Sequence, residues 1–157
     1  MISGVDGSPA RGTTAAVVAR VGARLCAIPL AHARETMRLL PIEPLADAPP
    51  FVLGLSIIRG EALPVVDLAA LLGGRGERAR LLTLRAGERS LAVAVDAILG
   101  VRSLDDATLA AAPALAQATR PDLIDAIGVL DSQLLVVLRA ARLLSEDDWR
   151  RLARERA

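Results

Sequence analysis

The segment spanning residues 49–68, PPFVLGLSIIRGEALPVVDL, constrains the fold more than any other part of the chain. Two short aliphatic runs flank the dipeptide Arg59-Gly60, and Asp67 closes the second run. Glycine adopts a positive φ without steric cost, so the dipeptide predicts the turn of a β-hairpin. Arg59 would then stand at the tip of an apolar hairpin, where a solvated turn residue is the commoner case and a placed contact is the alternative.

The same order of features recurs in the second half of the chain. Residues 126–144, AIGVLDSQLLVVLRAARLL, repeat the scheme of residues 54–72: apolar strand, polar turn, apolar strand and short helix. Upstream of each copy, paired strands are predicted around a glycine turn, at Gly22 in the first copy and Gly87 in the second. The repeat predicts a mainly β protein made of two five-stranded units. Small closed barrels suit such units because closure removes exposed sheet edges. The aliphatic segments would fill two barrel interiors and a seam between them.

The composition along the chain predicts three regions. Residues 1–13 are rich in Gly, Ser, Pro and Thr and are predicted to be a disordered tail. Residues 14–144 form the folded body, with lobes at about 14–75 and 76–144, and an exchange of strands between the lobes is left open. Residues 145–157 are predicted to be a helix.

Two further segments have a local signature. In the C-terminal helix, Ser145 is the expected N-cap, and acidic residues follow in the first turn, where the helix dipole favours them. Trp149 and Leu152 lie three residues apart and would hold the helix against the body. The segment GGRGERAR at 73–80 lacks the Lys-Ser/Thr ending of a phosphate-binding loop and is predicted to be a flexible connector.

Composition excludes several classes of partner. The 19 basic residues, all arginine, nearly balance 18 acidic ones, so no global field attracts nucleic acid or anionic lipid. Phe51 and Trp149 are the only aromatic residues, too few for a platform on which nucleic-acid bases could stack. No run of about 18 apolar residues exists to cross a bilayer. The N-terminus lacks the apolar stretch of a signal peptide, and a single cysteine suits a reducing compartment. We therefore expect a soluble intracellular domain.

Catalytic chemistry finds little support in the residue types. The only histidine, His32, is expected at the surface, and the only cysteine, Cys26, is expected in the core. No second His or Cys lies near enough to complete a metal site, so neither a metal nor a cofactor is predicted. Asp67 and Asp96 each close a strand, and each is interpreted as a cap of the following turn or helix. The alternative is a small-molecule-binding or enzymatic barrel that uses these two aspartates as an acid–base pair.

The string FVLGLSIIRGEALPVVDLAALLG closely resembles the signature of CheW-like domains, bacterial chemotaxis adaptors that link chemoreceptors to the CheA histidine kinase. The segments CAIPLAHARETMRLLPIEPLADAPP, LAVAVDAILGVRSL and IGVLDSQLLVVLRAARLL match the family in order and spacing. The resemblance covers roughly residues 15–145. It implies two packed five-stranded barrels of the Src-homology-three kind, with short helices.

The same resemblance implies a receptor-binding surface centred on the hairpin. Arg59 matches the arginine of the family's Leu-Arg-Gly turn, and Glu35 matches an acidic residue near the same surface. If the fold brings these two side chains together, we expect an ion pair that sets the pose of the hairpin. Gly54 and Gly60 match the two hairpin glycines, and Val52 and Ile57 are expected neighbours in the docking groove.

The chain departs from the family at two positions. Ile57 replaces an asparagine that usually precedes the Leu-Arg-Gly turn, and Arg139 stands where an acidic or amide residue is usual. The resemblance implies a non-catalytic cytoplasmic adaptor, recruited to membrane-associated arrays, whose partners are a CheA-type kinase and the cytoplasmic tips of chemoreceptors. The alternative within the family is a scaffold in a motility, pilus or developmental signalling array.

Overall fold

A computed structural model describes residues 12–110 and 122–156 of the chain. The predicted tail at residues 1–13 therefore lies almost wholly outside the described residues, although Thr13 already belongs to the first strand. The described chain is mainly β, as the sequence predicted. Its strands are β1 (Thr13–Val21), β2 (Arg24–Pro29), β3 (Ala33–Arg38), β4 (Val52–Ile58), β5 (Glu61–Asp67), β6 (Arg80–Ala86), β7 (Arg89–Val95), β8 (Ala97–Asp105), β9 (Ile124–Leu130) and β10 (Gln133–Leu138). The helices are α1 (Leu68–Leu71) and α2 (Glu146–Arg156), with 3₁₀ turns at Leu30–His32, Asp106–Thr108 and Ala140–Arg142.

The strands form two five-stranded barrels of identical connectivity. Barrel A has the strand order β8-β1-β2-β10-β9, and barrel B has the order β3-β6-β7-β5-β4. In each barrel one parallel pair, β2 with β10 or β7 with β5, joins otherwise antiparallel strands. A single bridge links the two outer strands: Ala110, after β8, pairs with Ile127 on β9, and Glu43, after β3, pairs with Leu55 on β4. Each sheet thereby closes on itself.

The barrels do not coincide with the two halves of the chain. Strands β1 and β2 of the first half join β8, β9 and β10 in barrel A, while β3, β4 and β5 join β6 and β7 in barrel B. The boundary near residue 75 thus separates the repeats in sequence but not in space. Each repeat contributes its first two strands to one barrel and its last three strands to the other.

The hairpins β4–β5 and β9–β10 are equivalent residue by residue. Both contain a β-bulge at the same place. In the first hairpin the extra residue lies on β4, between Val52 and Gly54, and in the second it lies on β9, opposite the step from Val137 to Leu138 on β10. Gly54 pairs with Val65 just as Ala126 pairs with Val137. The bulge and the closing bridge therefore belong to the duplicated backbone.

Three apolar clusters fill the molecule, in agreement with the predicted two interiors and a seam. Barrel A encloses a cluster that includes Leu25 and Leu135, and barrel B encloses one that includes Val65 and Leu81. The third cluster lies between the barrels and is the largest of the three. Cys26 is 1% exposed in this seam, as expected, and burial raises the pKa of its thiol to about 12 against the opposing charge of Arg24.

Helix α2 begins as the sequence predicted. Ser145 Oγ accepts a hydrogen bond from the Asp148 backbone N–H (3.1 Å), and Asp148 Oδ2 accepts one from the Ser145 N–H (2.9 Å). This reciprocal capping box satisfies two donors at the helix start. Leu152 is 1% exposed in the seam, and Trp149 packs half-buried beside it. Arg151 is only partly solvated, because it bonds Asp47 at 3.1 Å and so ties the helix to the proline-rich loop before β4.

Candidate functional site

The hairpin β4–β5 ends in a tight two-residue turn. Ile58 pairs with Glu61, which leaves Arg59 and Gly60 as the turn residues, with φ values of 55° and 77°. Positive φ at both positions is the geometry that matches the twist of paired strands. Glycine adopts it readily, whereas an arginine in this region is uncommon. The turn therefore holds Arg59 in a restricted backbone conformation and projects its side chain, 79% exposed, from the barrel B surface.

Arg59 is bound by Glu35 on β3 through two parallel hydrogen bonds. Its Nε donates to Glu35 Oε1 at 3.0 Å, and its NH2 donates to Oε2 at 2.9 Å. The hydrogen bonds from Arg59 hold the pKa of the Glu35 carboxyl below its ordinary value, and those same bonds raise the pKa of Arg59. The predicted ion pair is therefore present, in the fork-to-fork arrangement that fixes the orientation of both groups.

The backbone of Glu35 is itself held in place. Its N–H donates to Thr83 Oγ1 at 3.0 Å, and the Thr83 hydroxyl donates to the Glu35 carbonyl oxygen at 3.3 Å. Thr83 is 5% exposed, so these bonds are shielded from water. The carboxylate that orients Arg59 consequently rises from a fixed point on β3.

Gly54 has a structural role under the hairpin. A Cβ at this position would lie 2.0 Å from the Glu43 carbonyl oxygen, and its φ of 145° is unfavourable for other residues. Glu43 and Leu55 exchange backbone hydrogen bonds of 2.7 and 2.9 Å, and Ser56 Oγ donates to the Pro41 carbonyl. Gly54 thus lets the proline-rich segment lie directly against β4. The other turn glycines of the sequence prediction, Gly22 and Gly87, also have positive φ.

The remaining predicted contact residues are divided between surface and core. Ile57 is 66% exposed on the outer face of β4, beside the turn. Val52 is 7% exposed and packs in the seam, so its side chain has almost no surface to offer a partner. The structure therefore pairs Arg59 with Glu35 and exposes Ile57 two residues before Arg59. Val52 is buried in the seam near the other end of β4, and Gly54 packs against the backbone of Glu43.

The two aspartates considered for catalysis have structural partners. Asp67 Oδ1 accepts from the Ala70 N–H and caps α1, as predicted, while Oδ2 lies 3.6 Å from Arg78. Asp96 does not cap the segment that follows it, which corrects the sequence interpretation. Its Oδ2 accepts from the Gly22 N–H and its Oδ1 from the Glu77 N–H.

The segment predicted to be a flexible connector is held to the body along its length. Besides the bond from Glu77, it has backbone hydrogen bonds from Gly74 to Ala69 and from Ala79 to Val95. A Cβ on Gly76 would lie 2.3 Å from Asp96 Oδ1, so the segment packs tightly over that carboxylate. Within the described part of the chain, no three His, Cys, Asp or Glu side chains are grouped to hold a metal ion, and His32 is exposed.

The model of the CheW-like domain matches residues 15–148, which include both barrels and the hairpin with its ion pair. The chain belongs to the CheW-like domain family. It is 30% identical to the Protein FrzA of Myxococcus xanthus over 140 residues, 86% of this chain and 88% of that protein. It is 26% identical to the Chemotaxis protein CheW of Klebsiella aerogenes over 108 residues, 66% of this chain and 65% of that protein's length.

A solved CheW structure has the same fold. The crystal structure of the scaffolding protein TtCheW from Thermoanaerobacter tengcongensis superposes with a TM-score of 0.75, covering 86% of this chain and 94% of that one at 19% identity. This likeness supports the arrangement of two packed barrels. Among the described residues of this CheW-like domain, no helix has the length and apolar character needed to cross a bilayer.

Sequence reasoning missed two features of this CheW-like domain. On barrel A, Arg102 on β8 pairs with Asp131 at the β9–β10 turn (3.5 Å), a position that the internal repeat could have indicated. On barrel B, Arg89 binds Glu146 of α2 through two hydrogen bonds, and its guanidinium carbon lies 5.0 Å from the centre of the Trp149 ring. No local pattern joins Arg89 to residues so distant in the sequence.

Arg139, the second departure from the family, pairs with Asp125 at 3.1 Å.

Proposed function

We propose that this CheW-like domain is a non-catalytic cytoplasmic adaptor, recruited to membrane-associated arrays, that couples the cytoplasmic tip of a chemoreceptor to a CheA-type histidine kinase. The observation that carries the proposal is the bidentate Glu35–Arg59 pair at an exposed hairpin tip of a CheW-like fold. An adaptor acts through the geometry of its contacts, so a rigid and charged recognition element is the chemistry that the role requires.

The receptor contact is proposed at the hairpin β4–β5. Arg59 keeps donor groups directed to solvent while Glu35 fixes its plane, so little side-chain entropy is lost when a carboxylate or carbonyl of the partner binds. Ile57 adds an exposed apolar side chain beside this charge. Exposed ion pairs contribute little to folding, and the value of this one is the orientation of the contact surface.

The kinase contact is proposed on barrel A. Val129 is 71% exposed, and Leu134, 39% exposed, lies directly opposite it on the neighbouring strand. Cross-strand aliphatic pairs of this kind offer apolar area to a partner. The kinase's regulatory domain has this same fold in the family that the sequence resembles, and a lobe-to-lobe pairing through aliphatic surface would use such a pair.

Binding measurements on the purified chain test the receptor assignment. The receptor tips encoded in the same genome are titrated with the wild type, Arg59→Glu, Glu35→Arg and the double variant. We expect each single reversal to weaken binding at least tenfold, which corresponds to about 1.4 kcal/mol, and the double variant to recover part of the loss. Unchanged binding by Arg59→Glu refutes the site, and failure of the double variant to recover refutes the role of the pair.

The kinase assignment is tested separately with the CheA regulatory domain of the same genome. A pull-down in which the wild type retains neither the kinase domain nor a receptor tip removes the adaptor function altogether. Retention of the kinase domain by Arg59→Glu shows that the variant is folded. If the same variant no longer binds the receptor tip, the two partners use different surfaces.

A further inference from the structure

A cleft of about 260 Å³ opens at the seam, between the β1–β2 turn of barrel A and the segment that follows β5 of barrel B. The turn contributes residues 21–24 to its lining, and the other segment contributes Ala69 of α1 and residues 72–75. We call this space the turn–connector cleft. A ligand bound there would contact barrel A and the chain that continues from barrel B.

The turn–connector cleft combines apolar surface with positive charge. Val21, Ala69 and Leu72 line it and are buried, while its charged side chains are Arg24, which is half-buried, and Arg75, which is exposed. Among the described residues, no carboxylate pairs with either guanidinium group, and no carboxylate lines the cleft. The two positive charges are therefore available to a ligand.

The internal repeat provides a second copy of Arg24 with which it can be compared. Arg24 and Arg89 each begin the second strand of a hairpin, two residues after the turn glycine, Gly22 or Gly87, and each pairs with the residue before that glycine. A segment that follows the other barrel's last strand arrives beside each arginine. At Arg24 it is α1 with residues 72–75, and at Arg89 it is α2.

The two arriving segments differ in their chemistry. Helix α2 brings the Glu146 carboxylate to Arg89, with hydrogen bonds of 2.8 and 3.1 Å, and it places the Trp149 ring centre 5.0 Å from the guanidinium carbon. The segment at Arg24 contributes neither a carboxylate nor an aromatic ring to the cleft, and it adds Arg75. Barrel A thus has the arginine of the repeat without the acidic and aromatic groups that its counterpart contacts in barrel B.

We propose that the turn–connector cleft binds a small aromatic carboxylate, with its carboxylate paired to Arg24 and Arg75 and its ring against the apolar lining. Guanidinium groups bind carboxylates through paired hydrogen bonds, and an aromatic ring gains by leaving water for apolar surface. The cleft volume of about 260 Å³ is below the about 300–1,000 Å³ of pockets for drug-sized ligands, so a single ring system is the size that fits. The inference goes beyond the proposed adaptor function and does not depend on it.

Indole-3-acetate is the probe, because it has the carboxylate and the indole ring that Arg89 contacts in barrel B. Indole-3-acetamide has the same ring without the charge and serves as the control ligand. Isothermal titration with the full chain measures the affinity for both compounds. Backbone amide shifts in NMR spectra locate the bound probe, since the lining includes Gly22, Gly73 and Gly74.

Three variants test the charge and the space separately. Arg24→Gln combined with Arg75→Gln removes the two positive charges. Gly74→Leu places a side chain in the cleft without backbone overlap, because the atom nearest to a Cβ at this position is 3.8 Å away. Arg38→Gln is the matched control, since Arg38 is exposed and does not line the cleft. Circular dichroism checks that each variant is folded.

We expect the wild type to bind indole-3-acetate saturably, with the largest amide shifts at the three lining glycines. Indole-3-acetamide, the double glutamine variant and Gly74→Leu should each give binding at least tenfold weaker, and Arg38→Gln should bind within twofold of the wild type. Absence of binding by the wild type, equal affinity for the two compounds, or unchanged affinity of either cleft variant would show that the inference is wrong. Amide shifts confined to β7 and α2 would also overturn it, because they would place the probe beside Arg89.

Discussion

The hairpins β4–β5 and β9–β10 occupy the same place in barrels B and A, and their backbones have the same bulge and the same two-residue turn. Arg59 and Gly60 in one turn, and Asp131 and Ser132 in the other, all have positive φ. An exposed β-branched residue, Ile57 or Val129, lies two positions before the first turn residue in each. In each barrel the charged turn residue is paired with a side chain on the equivalent strand, which is β3 in barrel B and β8 in barrel A.

The polarity of the pair is reversed between the barrels. In barrel B the turn supplies the arginine and β3 the carboxylate, while in barrel A the turn supplies Asp131 and β8 supplies Arg102. The pair in barrel B has two hydrogen bonds of 2.9 and 3.0 Å, whereas the nearest nitrogen and oxygen of the other pair are 3.5 Å apart. Duplication thus fixed the backbone of the tips, and their charges and rigidity diverged. We expect the barrels to bind different partners.

The largest effect expected from this comparison is on the free energy of unfolding. It concerns the position beside the bulge, where barrel B has Gly54 and barrel A has Ala126. Gly54→Ala would place a methyl group 2.0 Å from the Glu43 carbonyl oxygen, in a backbone with φ of 145°. We expect the variant to lose about 3 kcal/mol or more of its free energy of unfolding, since both overlap and backbone strain oppose it. Urea denaturation followed by circular dichroism measures this loss.

The equivalent position of barrel A provides the matched control. Ala126 already has the methyl group, and Ala126→Gly should cost only about 0.5–1 kcal/mol, the usual penalty of glycine in a strand. Equal losses of unfolding free energy from the two substitutions would contradict the view that close contact with the proline-rich segment makes glycine necessary at position 54.

Partner choice is the next largest effect, and the exposed residues Ile57 and Val129 separate the two barrels. Burial of an aliphatic side chain in an interface contributes about 1.5–3 kcal/mol, and an aspartate would remove this term. We expect Ile57→Asp to weaken binding of the receptor tip at least tenfold and to spare the kinase domain. Val129→Asp should do the reverse. Isothermal titration with each partner measures both, and a variant that weakens both partners equally would argue for one shared surface.

Helix α2 distinguishes barrel B from barrel A, and Arg89 on β7 is one of the residues that hold the helix to the barrel, besides the Arg151–Asp47 pair. Its contact with the Trp149 ring is of the cation–π type, which contributes about 0.5–1 kcal/mol at exposed sites. We therefore expect Arg89→Ala to lower the free energy of unfolding by about this amount and to shift the Trp149 emission to the red. Arg24, which begins β2 as Arg89 begins β7, serves as control, and Arg24→Ala should leave the emission unchanged.

The sequence was sufficient for those parts of the fold that depend on local pattern. The turns at Arg59-Gly60, Gly22 and Gly87, the cap at Ser145, and the three apolar clusters all follow from residue type and spacing. The exchange of strands between repeats could not be read from the pattern, because a strand with the same alternation fits either barrel. Contacts such as Arg89 with Trp149 also depend on packing between distant segments. Val52 shows how far sequence-based prediction reaches at the site, because its position in the motif does not reveal that its side chain is buried in the seam.

The smallest effect expected concerns the charge state of Glu35, and it tests whether the barrel B pair persists in solution. Because hydrogen bonds from Arg59 lower the pKa of this carboxyl from its ordinary value of 4.5, the pair stabilises the fold above that pH. The contribution should disappear as the pH falls through the lower, folded-state pKa. Titration of the Glu35 carboxyl carbon by NMR should give a midpoint below 4.5 in the wild type and a midpoint close to 4.5 in Arg59→Ala. The variant Arg102→Ala, which breaks only the barrel A pair, should leave the Glu35 midpoint where it is in the wild type. If Arg59→Ala also leaves it unmoved, the two tips are equally loose in solution, and the greater rigidity assigned to barrel B is wrong.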